Sequence, residues 1–244
     1  MDFGKGAVGV AKIALDPGHG GEDSGAVGNN GLPEKVITLA VAYMVRQLLE
    51  DAGHTVMMTR TSDVWYGPGV SADLNTRCQK INDWGADIAV SIHVNSGGGH
   101  YISTFIQGTG GEAEKLAGKV QAAMVAAIGW QDAGVKVANL AMTRETDCPA
   151  CLVEMGFIDD TAQEAALGTT ETQKAFARAI ASGIVEYLGG ELKEAEPVVE
   201  WAKWYFDELK KKGILNGDHG SDDPITFGQV AVLICRLLKF LGKL

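Results

Sequence analysis

No run of about eighteen consecutive apolar residues occurs in this chain, so no part of it is expected to cross a bilayer as a helix. Basic residues are also in short supply: 21 Lys+Arg stand against 31 Asp+Glu, for a net charge of −10. A protein that grips nucleic acid needs a basic face to meet phosphates, so that class of partner is excluded. The acidic excess lies almost wholly within residues 1–190. Four cysteines in 244 residues are too few for a disulfide scaffold. Residues 1–10 carry Asp2 and Lys5 but no long apolar stretch, so no secretory signal peptide is expected. What is present is an ordinary apolar fraction of 46%, which rules out wholesale disorder and collagen-like repetition.

Periodicity and punctuation divide the chain. Residues 12–15 form a short apolar run ending in Asp16-Pro17-Gly18, the pattern of a strand entering a loop, and a long glycine-rich loop follows to Pro33. From 34 to 51 apolar residues recur at Val36, Leu39, Ala40, Tyr43 and Leu48, predicting a helix that Gly53 stops. Residues 55–59 read as a second strand, and Ala72, Leu74, Cys78 and Ile81 mark a shorter helix ending near Gly85. Residues 88–94 are almost continuously apolar, as in a strand covered on both faces. A strand over 101–107, a helix through Leu116, Val120, Ala123, Met124 and Ala127, a buried strand over 150–154 and a closing helix through Phe176, Ile180, Ile184, Tyr187 and Leu188 complete the alternation. This order predicts an α/β domain over 11–190, with a twisted, largely parallel sheet flanked by helices and a tail at 1–10.

Composition changes after Gly190. Residues 191–197 form a charged linker. A helix then carries Trp201, Trp204, Tyr205 and Leu209 and stops at Lys210-Lys211-Lys212-Gly213, and after a loop Thr226 can cap a second helix. Residues 198–244 thus read as a small C-terminal helical hairpin, too small to bury its own apolar faces. Cys148-Pro-Ala-Cys151 has the spacing of a redox pair or half a zinc knuckle. With no second such pair, and an apolar run following, these read as buried structural thiols.

Four ionisable residues stand out. His19 follows the first strand, His93 lies toward the end of the central apolar strand, Glu154 ends another buried strand, and Glu34 opens the first long helix. The carboxyl ends of strands are where open α/β sheets form their ligand crevice. Each residue has a plainer reading as well: a loop histidine at the surface, or Glu34 as a first-turn acid favoured by the helix dipole. An acid inside a buried strand, by contrast, needs a partner or a function. Two His and one Glu make the ligand set of a catalytic zinc, and a further Glu is what metal-assisted hydrolysis needs as general base.

The residues around these four carry a resemblance. Leu15-Asp16-Pro17-Gly18-His19-Gly20-Gly21, Gly31-Leu32-Pro33-Glu34-Lys35, Ser91-Ile92-His93-Val94-Asn95 and Leu152-Val153-Glu154-Met155-Gly156-Phe157 occur in that order. Together with Thr59-Arg60 and Pro149-Ala150, they resemble the zinc-dependent N-acetylmuramoyl-L-alanine amidases that hydrolyse peptidoglycan. The resemblance covers roughly residues 11–190, and the stretch after Tyr101 departs from the usual Gly-Phe-Glu pattern. It implies that His19, Glu34 and His93 bind Zn2+ and that Glu154 is the catalytic carboxylate. It implies cleavage of the amide joining N-acetylmuramic acid to L-alanine. Ser91 and Asn95 are candidates to orient the histidines, with Asn95 equally readable as a turn residue, while His54, His100 and His219 are left as non-ligands.

Trp201-Ala202-Lys203, Lys212-Gly213-Ile214-Leu215-Asn216-Gly217 and Asp223-Pro224-Ile225-Thr226 resemble one S-layer-homology repeat, with Thr226-Phe227-Gly228-Gln229 where the repeat usually reads Thr-Arg-Ala-Glu. That implies wall-polymer binding or self-association, beside the plainer reading of a packed hairpin. The expected partner is bacterial peptidoglycan, with no nucleic acid. The expected location is the cytoplasm until release and then the cell wall, as for a phage endolysin or a lytic autolysin. A non-catalytic wall-binding module and a zinc peptidase on the same fold are the alternatives.

Overall fold

The computed structural model describes residues 9–193. The tail up to residue 8, most of the expected linker, the hairpin at 198–244, His219 and Cys235 lie outside them. Period-two alternation builds the sheet. In β1 (Lys12–Pro17) Ile13 and Leu15 enter one core and Ala14 enters another on the opposite face. Strands β2 (Thr55–Met58), β3 (Ile88–Asn95), β4 (Tyr101–Ile106), β5 (Gln131–Val137) and β6 (Ala150–Phe157) complete one six-stranded sheet of order β2-β1-β3-β6-β4-β5. Neighbours run parallel except β4 and β6, which are antiparallel. The helices are α1 (Glu34–Asp51), α2 (Val70–Trp84), α3 (Glu112–Ile128), α4 (Ala141–Arg144), α5 (Thr161–Leu167) and α6 (Thr170–Tyr187). The expected α/β fold with a largely parallel sheet is the one that forms.

The two faces are unequal. Under α1, α3 and α6 lies the main core, with Ile13, Leu15, Val90, Ile92, Val153 and Met155 fully enclosed. Burying each such side chain stabilises the fold by about 1.5–3 kcal/mol. The other face carries a row of small residues, because Ala14, Ala89 and Ala150 sit in register across β1, β3 and β6. That row lets Cys78 and Ile81 of α2 and Met142 of α4 pack close to the sheet. Two residues further along, the same face turns polar with Asp16 opposite Ser91. Two further still it carries His93 opposite Glu154. The strand alternation therefore fixes which face holds the chemistry.

Some expectations are corrected. In α1 the buried face is Ile37, Val41, Ala42, Val45 and Leu49, whereas Val36 and Tyr43 are 50% and 42% exposed. The helix is apolar on more than one side, so periodicity alone admits two stripes, and the sheet selects one. Strand β5 was not expected, since its sequence has no apolar run; it is a partly exposed edge strand interrupted by Gly134. The short helices α4 and α5 were missed because neither is long enough to show a period. Strand β6 runs on to Phe157, which places Glu154 within the strand instead of at its end. Cys78 and Cys151 are buried and Cys148 is partly so, and burial raises all three thiols to about 11 or 12, which agrees with structural thiols.

A buried polar network joins this sheet to the loop after β1. Asp16 accepts hydrogen bonds from Thr59 Oγ1 (2.5 Å), Ser91 Oγ (2.7 Å) and Arg77 Nη1 (3.0 Å). Burial alone would raise the Asp16 pKa, but Arg77 and the two hydroxyls outweigh it and hold the carboxyl below its usual range. Arg77 also pairs with Asp73 at 2.6 Å and donates to the carbonyls of Pro17 and His19. Arg60, equally buried, donates to the carbonyls of Pro17, Gly18 and Lys35. Removing one member of a buried ion pair typically costs about 3–5 kcal/mol. Asp16→Ala should therefore lower the unfolding free energy in urea by an amount in that range. A loss under about 1 kcal/mol would mean that Asp73 alone compensates Arg77.

Candidate metal centre

The centre is assembled from the loop after β1, the start of α1 and the end of β3. His19 holds a left-handed backbone (φ 62°), a conformation that costs a non-glycine residue about 1–2 kcal/mol. It is tolerated because Arg77 Nη2 grips the His19 carbonyl at 2.6 Å and the loop continues through Gly20 and Gly21, also at positive φ. His19 Nδ1 lies 2.8 Å from Asp23 Oδ2, and Asp23 Oδ1 accepts from the Gly25 backbone N–H. That contact fixes the ring and leaves Nε2 facing Glu34 Oε2 at 3.1 Å.

Glu34 is almost wholly buried at the first position of α1, where the positive end of the helix dipole favours a carboxylate. Each of its oxygens faces one histidine and accepts one backbone N–H. Oε2 takes Ala26 N–H (3.0 Å) beside His19, and Oε1 takes Val94 N–H (2.9 Å) beside His93 Nδ1 at 3.0 Å. Gly18 must be glycine, since a Cβ there would stand 2.2 Å from the His93 ring. The two imidazoles meet edge to face, with centroids 4.9 Å apart. One ligating atom from each of His19, Glu34 and His93 lies within 4.8 Å of the others. Atoms at ordinary zinc distances of about 2.0–2.1 Å stand roughly 3.3 Å apart in a tetrahedral set, so the donor types and spacing fit such an ion.

Electrostatics agree with this fit. Burial would raise the Glu34 pKa, but His19 and His93 prevail and hold the carboxyl well below its usual range. Burial would lower that of His19, but Glu34 and Asp23 prevail and push it up to about 9. Both shifts describe a carboxylate that invites positive charge between two imidazoles. Glu154 sits in register beside His93 on β6 and is partly exposed. Burial pushes its carboxyl up to about 7, with His93 opposing and Glu34 assisting. Its Oε2 is enclosed without a hydrogen-bond partner among the described residues. A cavity of about 210 Å³ opens beside His19 and His93, with Val70, Leu74, Leu140, Met142 and Leu152 among its walls.

All four residues expected from sequence thus occupy one place. The orienting contacts are different from those expected. Ser91 bonds Asp16, and Asn95, the last residue of β3, accepts the Ser96 N–H, whereas Asp23 holds His19. An acid four residues after His19 was the available signal for it. His54 Nδ1 accepts the Ala11 N–H away from the centre, and His100 is exposed.

Comparison with known proteins gives one family. A match to N-acetylmuramoyl-L-alanine amidase spans residues 13–186. The sporulation-specific N-acetylmuramoyl-L-alanine amidase of Bacillus subtilis (strain 168) is 39% identical over 178 residues, which cover 72% of this chain and 67% of that protein. The endolysin of Bacillus phage SPP1 is 35% identical, over 72% of this chain and 65% of its own length. Among solved structures, the catalytic domain of the N-acetylmuramoyl-L-alanine amidase CwlV from Bacillus (Paenibacillus) polymyxa var. colistinus superposes with a TM-score of 0.69 at 32% identity, covering 75% of this chain and 100% of that domain. The chain belongs to the N-acetylmuramoyl-L-alanine amidase family.

Proposed function

We propose that this protein hydrolyses the amide between N-acetylmuramic acid and L-alanine in bacterial peptidoglycan, with Zn2+ held by His19, Glu34 and His93 and with Glu154 as general base. The observation that carries the reading is the convergence of the three ligating groups within 4.8 Å, with Glu154 in register beside His93. Zinc in that set supplies a Lewis acid for the amide carbonyl and for water. Asp23 orients the His19 ring through Nδ1, Glu34 presents one oxygen toward each histidine, and Arg77 holds the His19 backbone. Glu154 accepts a proton from the attacking water and returns it to the departing alanine amine. A carboxyl lifted toward neutrality is suited to both transfers. Apolar side chains of Val70, Leu74, Leu140, Met142 and Leu152 line the cavity beside the centre.

The relatives include a phage endolysin and a sporulation-specific amidase, which supports a role in wall lysis or remodelling. Among the described residues no helix is long and apolar enough to cross a membrane. The reading places the protein's action at the cell wall. Residues 198–244 are proposed to target the wall or to mediate self-association, on the strength of their S-layer-homology resemblance. Mass analysis of digested peptidoglycan separates the candidate activities: new free L-alanine amino groups for an amidase, cuts within stem peptides for a peptidase, and no products for a binding module.

The purified protein should carry about one zinc per chain and lose activity in a chelator. His93→Ala should abolish both metal binding and turnover. Glu154→Gln should keep the metal while losing on the order of a hundredfold in rate, and near-full activity would place the base elsewhere.

Proton linkage gives a second expectation. Below about pH 9 the metal-free His19 is protonated, and a cation must displace that proton. Metal affinity should therefore fall about tenfold per pH unit as pH drops below that value, for one displaced proton. Calorimetry in buffers of different ionisation heat, at about pH 7.5, should register one or more protons released per ion. Without metal the sign reverses: the His19 contribution to stability is full below its ordinary pKa of 6.5 and is lost as pH rises through about 9.

A fragment of residues 1–190 should stay folded and cleave soluble muropeptides, since no proposed ligand lies beyond Glu154. It should lose activity on intact walls or change its oligomeric mass relative to the full chain. Equality in binding, lysis and mass would reduce residues 198–244 to a tail.

A further inference from the structure

The face of the sheet that carries the centre continues past Glu154. His93 of β3 pairs with Glu154 of β6, and Glu154 pairs in turn with Ser103 of antiparallel β4. Ser103 is wholly buried, and its hydroxyl has no hydrogen-bond partner among the described residues. Its strand neighbours face the other way: Thr104 Oγ1 donates to Gln121 of α3, and Ile102 lies in the core beneath α3. Ser103 therefore shares its face with Glu154. On the β5 side the register steps from Ile102–Asp132 to Thr104–Val135, so the position opposite Ser103 is shared by Ala133 and Gly134, which carry no polar side chain.

Two enclosed polar atoms, Ser103 Oγ and Glu154 Oε2, thus belong to residues directly opposite each other, and each is unpaired among the described residues. Residues directly opposite in an antiparallel pair have Cβ atoms about 4.5–5.5 Å apart, within reach of a serine and a glutamate. Their chemistry is complementary, since a hydroxyl supplies a rotatable donor and an ionised carboxylate only accepts. Leaving both unpaired keeps the desolvation cost of each, whereas one side-chain rotation satisfies both.

We infer that Ser103 is the positioning residue for Glu154. Its hydroxyl donates to Oε2 and fixes the carboxylate, so that the other oxygen faces the attacking water. Ser103 exchanges no proton and forms no bond with substrate. This rests on the reading of Glu154 as general base.

The test is a double-mutant cycle on a soluble muropeptide, with the metal content of every variant measured alongside. Ser103→Ala should lower kcat about tenfold, as loss of a hydrogen bond to a charged group does, with KM and bound metal unchanged. Ser103→Thr, which retains the hydroxyl, should recover most of that rate. In a Glu154→Gln background, adding Ser103→Ala should cost nothing further, because the group it positions no longer serves as base. An unchanged kcat in Ser103→Ala, a change in KM alone, a threonine variant as slow as the alanine one, or an equal loss in the Glu154→Gln background would each overturn the inference. If Glu154→Gln by itself were fully active, the reading of Glu154 would fail and the inference with it. If that variant is inactive while Ser103→Ala is unimpaired, only the inference fails.

Discussion

Everything at the centre depends on the grip of two buried arginines on the loop that leaves β1. Arg60 and Arg77 take the carbonyls of Pro17, Gly18 and His19, three successive backbone acceptors. A buried carbonyl left without a donor is costly, and so is a buried guanidinium without acceptors; each resolves the other. The charge is balanced by Asp16 and Asp73, both buried and both bonded to Arg77. Arg60 lies close enough for burial and then the charge of Arg77 to hold its pKa below the usual value, so it is the weaker-held cation of the pair. The product of the network is geometric: His19 is kept in a left-handed conformation, with its ring turned back toward Glu34.

The sheet supplies the other half of the placement. One face passes from alanines to a buried aspartate and then to His93, Glu154 and Ser103, a change that follows from register alone. Small side chains at one end admit α2 and α4 close to the strands, and those elements bring Arg77 and the apolar walls of the cavity. At the other end the strands carry the polar residues His93, Glu154 and Ser103. Burial then separates two acids of one type. Glu34 lies between two imidazoles and stays ionised, while Glu154 has less compensation and titrates near 7. The same principle, environment setting the role of a carboxylate, distinguishes the proposed ligand from the proposed base.

The sequence by itself determined the α/β class and the apolar runs that became β1, β3 and β6, and it singled out the four residues that the fold brings together. It could do so because a covered strand must be almost continuously apolar, so a His or a Glu within one stands out. Local patterns did not decide the antiparallel β4–β6 pairing, the edge strand β5 or the buried stripe of α1, since none of these has a unique period. Asp23, Arg60 and Arg77 acquire their importance only in three dimensions. Each acts on a backbone group or ring made available by the fold, and Arg77 reaches the His19 carbonyl from α2, 58 residues along the chain. The adjacency of Ser103 to Glu154 is likewise a product of strand order, which hydrophobic patterning does not encode. Residue type announced the chemistry, and long-range register and buried hydrogen bonding decided which atoms meet.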